Sequence, residues 1–227
     1  MPRAASFALA SAFALTLGTT SACGSTDSRT PKPSTSAPPT TLTESDLHTR
    51  LLTVNDLPTG FTVDTDATDT NGTISSTDPH CKPLVDLMNS DGKPPTATAA
   101  TNTSFTKSEL GPNVATGLAS FPSTQTAETL LTTISTAMKT CTTLTETDKD
   151  GSSYDFGVAA LPFPETGDGS SATRMSADIG GYPAQVDIVV VRIGSTLLYV
   201  ANTGLGGTDS GLTQDVVARA VGKVEGG

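Results

Sequence analysis

The strongest alternation of apolar and polar positions lies in the last third of the chain, between residues 171 and 204. It predicts three strands, which are separated by Gly180-Gly181-Tyr182-Pro183 and by Gly194-Ser195. Short turns that contain glycine and join alternating segments are typical of β-hairpins. We therefore predict two successive hairpins that form an antiparallel meander.

Apolar residues at helical spacing predict four helices. In the clearest one, apolar side chains recur three, four and seven positions apart from Ala127 to Cys141, after a capping Ser123 or Thr124. The other three helices are predicted at Glu44–Leu52, Pro79–Met88 and about Ser210–Val224. Further strands are predicted at 98–107, 114–121, 142–147 and 154–160.

Together these elements predict an α+β fold with a central antiparallel sheet and flanking helices. Residues 42–227 are long enough to form this fold as one domain. The acidic segment Ala67–Asp78 half-matches a calcium-binding loop, but Ala67 occupies the first ligand position. This segment therefore indicates a solvated turn, and no metal site is predicted.

Residues 1–22 have the features of a bacterial export signal. The apolar run Ala4–Leu17 is too short to span a membrane comfortably. The sequence Thr20-Ser21-Ala22-Cys23 that follows resembles the lipobox of bacterial lipoproteins, with threonine in place of the usual leucine. The alternative is ordinary cleavage near Ala22, which leaves Cys23 as a free thiol. We favour acylation of Cys23, for example by palmitate.

Residues 23–41 form a linker rich in Ser, Thr and Pro that has almost no apolar side chain to bury. Extended like polyproline, the part after Cys23 would span about 55 Å at about 3.1 Å per residue. The whole chain has 13 Lys and Arg against 23 Asp and Glu, which gives a net charge of −10. Such a surface repels nucleic acid and anionic membranes, so an acyl anchor is the favoured attachment and no nucleic-acid partner is expected.

Three cysteines leave room for one disulfide. Acylation of Cys23 leaves Cys81 and Cys141, each predicted on the apolar face of a helix, as a pair. A disulfide between them suits an exported protein and closes a loop of about 60 residues, which stabilises by roughly 4 kcal/mol in the chain-entropy model. The alternative is that both cysteines are buried free thiols.

Candidate chemistry is sparse, because no catalytic or cofactor motif stands out. His48 and His80 have no nucleophile motif beside them and too few companions for a zinc site, so no cofactor is expected. Arginine is the preferred anion ligand in an acidic protein, and tyrosines accompany arginines near the predicted meander. The candidate ligand-binding residues are Arg174, Tyr182, Arg192 and Tyr199. The alternative is that they are ordinary residues of a strand face.

Four features of the chain occur together: the lipobox, the Thr/Pro-rich linker, LLTVNDLPTGF at 51–61, and VDIVVVRIGSTLLYVANTGLGG at 186–207 followed by VVARAVGKV. In these features the chain resembles actinobacterial lipoproteins and, more loosely, the extracellular sensor domain of PknH-type receptor Ser/Thr kinases, over roughly residues 42–225. The resemblance implies a compact α+β domain with a central antiparallel sheet and a ligand cleft. The kinase-type sensors carry two disulfides, whereas this chain has cysteines for one.

These observations predict a lipoprotein anchored through Cys23 to the outer face of the cell membrane. Its outward domain is expected to bind a small ligand or an envelope protein and not to be an enzyme. The alternatives are a structural or adhesive spacer and a cell-wall hydrolase. An apolar cleft with a few polar groups favours ligand binding, an exposed apolar patch favours a protein partner, and clustered carboxylates with raised pKa values favour an enzyme.

Overall fold

Nine antiparallel strands form one sheet within residues 41–65 and 72–227, the part of the chain that this computed structural model describes. In chain order the strands are β1 (Thr62–Val63), β2 (Thr73–Ser75), β3 (Ala99–Thr106), β4 (Asn113–Ser120), β5 (Thr143–Thr147), β6 (Ser153–Ala160), β7 (Gly169–Ile179), β8 (Tyr182–Ile193) and β9 (Thr196–Leu205). Across the sheet their order is β1-β3-β4-β9-β8-β7-β6-β5-β2. The predicted antiparallel sheet is confirmed.

Four α-helices flank the sheet in the same residues. They are α1 (Glu44–Arg50), α2 (Lys82–Met88), α3 (Thr124–Thr140) and α4 (Ser210–Gly226). The helix predicted over 79–88 begins with a 3-10 turn, because Pro83 has no N–H to donate to the carbonyl of Pro79. Within the described residues, no helix has the length and apolar character needed to cross a membrane.

Helices cover both faces of the sheet. We call the side that packs against α1 and α4 the α4 face, and the side that packs against α2 and α3 the α3 face. On β8, Val189 and Val191 are buried on the α4 face, whereas Val190 between them is buried on the α3 face. Burial on both faces explains why β8 has a nearly continuous apolar run instead of an alternating one.

The meander at the centre of the sheet forms as predicted. Ile179 pairs with Tyr182 across the β7–β8 turn, and Gly180 and Gly181 both have positive φ, at 64° and 90°. A two-residue hairpin turn of this type requires left-handed backbone at both positions, which glycine adopts without a steric penalty. The β8–β9 turn likewise uses Gly194 at φ 58°.

Polar side chains fix where the helices begin. At α1, the hydroxyl of Thr43 accepts from the backbone N–H of Asp46, whose carboxylate accepts from the N–H of Thr43. This reciprocal capping box satisfies two N–H groups that lack partners within the helix. At α3 the cap is Ser123, whose hydroxyl accepts from the N–H of Thr126 at 3.1 Å. Ser123, not Thr124, is therefore the N-cap.

Cys81 and Cys141 form a disulfide, as predicted. Cys81 ends the 3-10 turn before α2, and Cys141 follows the last residue of α3. Both cysteines are buried beside apolar residues of the α3 face. The covalent link therefore fixes the start of α2 against the end of α3.

The sheet contains a strand that the sequence did not predict. The short strand β2 lies in the segment predicted as an acidic turn, and it pairs with β5 at the edge of the sheet. With Ile74 as its single apolar residue, it is too short to produce a periodic signal. The signal, Cys23 and the linker lie outside the described residues, as do residues 67–71 of the half-matched calcium loop.

Candidate functional site

Residues 89–98, which we call the crossing segment, connect α2 to β3 across the α3 face. At its start, the side-chain amide of Asn89 accepts from the N–H of Ile74 on β2 and donates to the carbonyl of the same residue, at 2.9 and 2.7 Å. At its end, the N–H of Thr98 donates to the carbonyl of Ser120 on β4. Since β2 and β4 lie on opposite sides of the central strands, the crossing segment passes over β8 and β9.

A cavity of about 220 Å³ lies between the crossing segment and these two strands. Strands β8 and β9 form its floor, the end of α2 forms a wall, and the crossing segment forms its roof. The cavity is lined by Leu87, Met88, Ser90, Gly92, Pro94, Val186, Ile188, Val190, Tyr199 and Ala201. None of these ten side chains is charged. The hydroxyl of Ser90 donates to the carbonyl of Leu87 at 2.6 Å and is already used.

Tyr199 supplies the remaining polar group of the cavity. It pairs with Gly117 on β4, and a Cβ at position 117 would collide with the tyrosine ring. Glycine at 117 therefore lets the ring lie against the sheet. Burial raises the pKa of the phenol above its ordinary value, so the hydroxyl stays protonated at neutral pH. This hydroxyl has no hydrogen-bond partner among residues 41–65 and 72–227.

The roof of the cavity contains unusual backbone geometry. Asp91 and Thr96 have positive φ values of 50° and 68°, and Gly92 lies between them in the chain at φ 77°. For a β-branched residue such as Thr96, this conformation is unfavourable and requires support from the surrounding structure. Gly92 contacts the side-chain amide of Asn102 on β3, where a Cβ would collide. Glycine here lets the roof approach β3 closely.

Arg174 lies on the α4 face, on the opposite side of the sheet from the cavity. Its guanidinium binds both carboxylate oxygens of Asp187, at 2.6 and 2.8 Å, and also donates to the hydroxyls of Thr208 and Ser210. Asp187 is fully buried and also accepts from Thr213 in α4. The Nε and Nη2 groups of Arg174 therefore bind protein atoms and contribute to fold stability. Arg174 does not line the cavity.

Arg192 and Tyr182 also lie away from the lining of the cavity. Arg192 donates to the carbonyl and carboxylate of Asp168 and to the carbonyl of Gly194. These hydrogen bonds join the β6–β7 connection to the β8–β9 turn. Tyr182 lies at the tip of the β7–β8 hairpin and is 68% exposed. Of the four candidate residues, Tyr199 alone lines the cavity.

Sequence reasoning did not identify the apolar residues that surround Tyr199. Val186, Ile188 and Val190 lie at alternate positions of a predicted strand, and Leu87 and Met88 lie at the end of the helix predicted over Pro79–Met88, so the pattern does not distinguish them from ordinary core residues. The sequence signal that could have indicated the site is the nearly continuous apolar run of β8. Such a run indicates that other segments must pack on both faces of the strand. The sequence does not reveal that α3 leaves part of one face to the crossing segment.

Comparisons with known proteins agree with this architecture. Residues 42–223 match the family model described as the PknH-like extracellular domain. Among solved structures, the chain is similar to the extracellular domain of PknH from Mycobacterium tuberculosis, with 14% sequence identity and a TM-score of 0.63. That alignment covers 83% of this chain and 99% of the PknH domain. A search of curated proteins found no match. The chain therefore belongs to the family of PknH-like extracellular domains, which indicates an extracytoplasmic location for its domain.

Proposed function

We propose that this protein is a membrane-anchored binding protein whose extracytoplasmic domain takes a small apolar ligand and catalyses no reaction. The observation that carries the proposal is the uncharged cavity under the crossing segment. Apolar cavities of about 150 Å³ stay dry and bind molecules such as benzene. A cavity of about 220 Å³ has room for a larger apolar group, whose transfer from water is favourable in proportion to its buried area.

Tyr199 gives this site a means of selecting ligands. Its protonated hydroxyl is the one polar side-chain group of the lining that forms no internal hydrogen bond in the described structure. A ligand with an acceptor near the phenol would therefore gain a hydrogen bond that a pure hydrocarbon does not.

The alternatives explain the cavity less well. A structural or adhesive spacer needs no internal space, and an apolar cavity lowers the stability of a domain that has no ligand to fill it. A hydrolase needs a nucleophile and a general base close together. In the lining, Ser90 is bonded to a backbone carbonyl and the phenol of Tyr199 has a raised pKa, so neither group suits that chemistry.

Anchoring through acylated Cys23 is the second part of the proposal. It is supported by the short apolar run before Cys23, the small residues of the lipobox, and the absence of charged residues from Ala4 to Thr26. Two acyl chains bind a bilayer stably where one binds only marginally. The Ser/Thr/Pro-rich linker would then hold the domain away from the membrane surface.

Fluorescence titration of the mature chain with 1-aminoanthracene, a compact neutral probe, tests the cavity. We expect saturable binding that Ala201→Phe weakens at least tenfold, because the added ring fills the cavity floor. The matched control is Ala218→Phe on the exposed surface of α4, which should bind like the wild type. Circular dichroism establishes that each variant is folded, and Ile188→Phe serves as a second filling variant. Equal affinity in all folded variants would refute a ligand site in the cavity.

Metabolic labelling with radioactive palmitate in an actinobacterial host tests the anchor. We expect label on the wild type and on Ser25→Ala, which leaves the lipobox intact, and none on Cys23→Ala. Equal labelling of the wild type and Cys23→Ala would show that acylation does not occur at this residue.

A further inference from the structure

The row of side chains that forms the cavity floor extends along β8 and β9 beyond the cavity, and the length of this row indicates the class of ligand. We infer that the cavity holds the end of a long acyl chain, whose remainder lies along the α3 face of β8 and β9 toward the tip of the β7–β8 hairpin. This inference rests on the proposed function, since it assigns a ligand class to the same site.

Strand register defines the path of the chain. Directly paired residues share a face of an antiparallel sheet, so the even-numbered residues of β8 and their partners on β9 form one row. From the cavity to the hairpin tip, the pairs are Val190 with Tyr199, Ile188 with Ala201, Val186 with Thr203, and Ala184 with Leu205, and the row ends at Tyr182. We call this row the apolar track.

The track is closed at one end and open at the other. Val190 is buried among the apolar residues of the α3 face, whereas Val186 and Ile188 in the cavity floor are only half-buried. At the far end, Leu205 is 39% exposed and Tyr182 is 68% exposed, and these two larger side chains flank Ala184, which is 4% exposed. Eight residue steps at about 3.3 Å give a length of about 26 Å. An extended hexadecanoyl chain fits within this length, whereas an octanoyl chain fits in the cavity alone.

Charge is kept away from the track. The two acidic residues of this hairpin, Asp178 and Asp187, lie on the opposite face, because they pair with Pro183 and Arg174 and alternate with the track residues. The polar side chains within the track are Thr203 and the phenols of Tyr199 and Tyr182, and none of them carries a charge at neutral pH. An acyl chain therefore meets no charged group along its length, and a charged headgroup would remain in water beyond Tyr182.

Alternative shapes of ligand fit the surface less well. A compact apolar molecule would fill the cavity and leave Leu205 and Tyr182 in water. A protein helix is about 10 Å wide with its side chains, so one turn of about 5.4 Å occupies roughly 400 Å³, more than the cavity of about 220 Å³ at the closed end of the track. A single flexible hydrocarbon chain satisfies both the narrow closed end and the long open end.

The test is a chain-length series in which octanoate, dodecanoate and hexadecanoate compete with 1-aminoanthracene for the mature protein. Because each buried methylene adds a factor of roughly four, we expect hexadecanoate to bind at least about 100-fold more tightly than octanoate. Lysophosphatidylcholine with the same hexadecanoyl chain distinguishes a membrane lipid from a free fatty acid as the source. Equal binding of the two means that the site recognises the chain and not the headgroup.

Substitutions at two exposed residues test the contribution of the track to binding separately from that of the cavity. Tyr182→Ser should weaken hexadecanoate at least fivefold and leave octanoate unchanged, because the shorter chain does not reach the hairpin tip. The control is Val63→Ser on β1, which removes an apolar side chain that is 54% exposed at the sheet edge and should change neither affinity.

Failure of this inference can be told apart from failure of the proposed function. If 1-aminoanthracene binds and Ala201→Phe blocks it, but hexadecanoate binds no more tightly than octanoate, the acyl-chain inference is overturned and the cavity site stands. The same holds if Tyr182→Ser weakens neither acid. If no probe or acid binds the folded protein, both are overturned.

Discussion

Thr116 shows how a single buried hydroxyl limits stability. It lies on β4 opposite Val200 on the α4 face, is 1% exposed, and its hydroxyl has no partner in the described structure. We predict that Thr116→Val raises the free energy of unfolding by about 1 kcal/mol, because it removes an unpaired polar atom without changing the side-chain shape. Urea denaturation measures the change.

The same substitution at Thr173 is a matched control. Thr173 is also 1% exposed, but its hydroxyl donates to the carbonyl of Ala159 at 2.8 Å. Thr173→Val should therefore lower the free energy of unfolding by about 1 kcal/mol. If both variants shift stability in the same direction, the hydrogen-bond assignment at these two threonines is wrong.

Gly117 controls the position of the Tyr199 ring. We predict that Gly117→Ala lowers the melting temperature and weakens 1-aminoanthracene binding, because the new methyl group pushes the ring toward the cavity. Gly157→Ala in β6 is the control, since the nearest atom to its added Cβ lies at 3.8 Å. Thermal unfolding and probe titration check both variants. An unchanged affinity in Gly117→Ala would contradict the contact.

At the residue scale, the sequence identified Tyr199 but could not distinguish it from its neighbours. The sequence pattern alone did not rank the four candidate residues, because all of them lie in the meander: Arg174, Tyr182, Arg192 and Tyr199. Their surroundings depend on which face of the sheet they occupy and on residues distant in sequence, such as Asp168 or Asp187. Those contacts follow from the strand register, which local periodicity does not specify in full.

At the element scale, an ion pair joins the segment after α1 to the end of α4. The ammonium of Lys223 lies 2.8 Å from a carboxylate oxygen of Asp56, and both side chains are mostly buried. Burial by itself raises the pKa of Asp56, but hydrogen bonds from Lys223 and Thr53 outweigh it and lower the pKa to about 2. The charged carboxylate therefore stabilises this junction.

This pair predicts a specific pH dependence. Since the pKa of Asp56 is lower in the folded state than its ordinary 3.8, its contribution is present above about pH 4 and is lost as the pH falls toward 2. Asp56→Asn should cost on the order of 1 kcal/mol at pH 7 and flatten the stability curve between pH 4 and 2. Asp86→Asn, which breaks an exposed pair with Lys82, should cost less than about 0.5 kcal/mol. Denaturation curves from pH 2 to 7 would contradict the assignment if the Asp56→Asn slope matched the wild type.

The disulfide connects the stability of the fold with the shape of the cavity. It holds α2, which supplies Leu87 and Met88 to the cavity wall, against α3. We predict that replacing Cys81 and Cys141 together with alanine lowers the free energy of unfolding by up to about 4 kcal/mol. The same variant should weaken 1-aminoanthracene binding under conditions where it is folded. Wild-type melting temperature and affinity in the double variant would contradict this role.

The sequence predicted most elements of the fold, because each has a local cause. Capping residues and helical spacing identified α3 and α4, and glycine turns identified the central hairpins. β2 was not predicted, because its three residues gain their order from pairing with β5, which lies distant in the chain. The crossing segment also had no local signal, since its course depends on contacts with β2 at one end and β4 at the other.

At the scale of the whole molecule, the antiparallel sheet separates two roles. Its α4 face carries the buried Arg174–Asp187 pair and the packing of α1 and α4, which stabilise the domain. Its α3 face is incompletely covered by helices and leaves the cavity and the apolar track. The sequence predicted an extracytoplasmic domain of this class. The cavity could not be located beforehand, because it forms where residues 87–94 meet the β8–β9 hairpin, which is distant in the chain.

A crystal structure of the mature protein with ω-bromododecanoic acid tests the central claim most directly. Anomalous scattering locates the bromine at the tail of the acid without reference to any assumed pose. We predict a bromine peak inside the cavity, between Leu87 and Tyr199, with the chain directed toward the hairpin tip. A bromine peak found only outside the cavity, or none at saturating ligand, would contradict it.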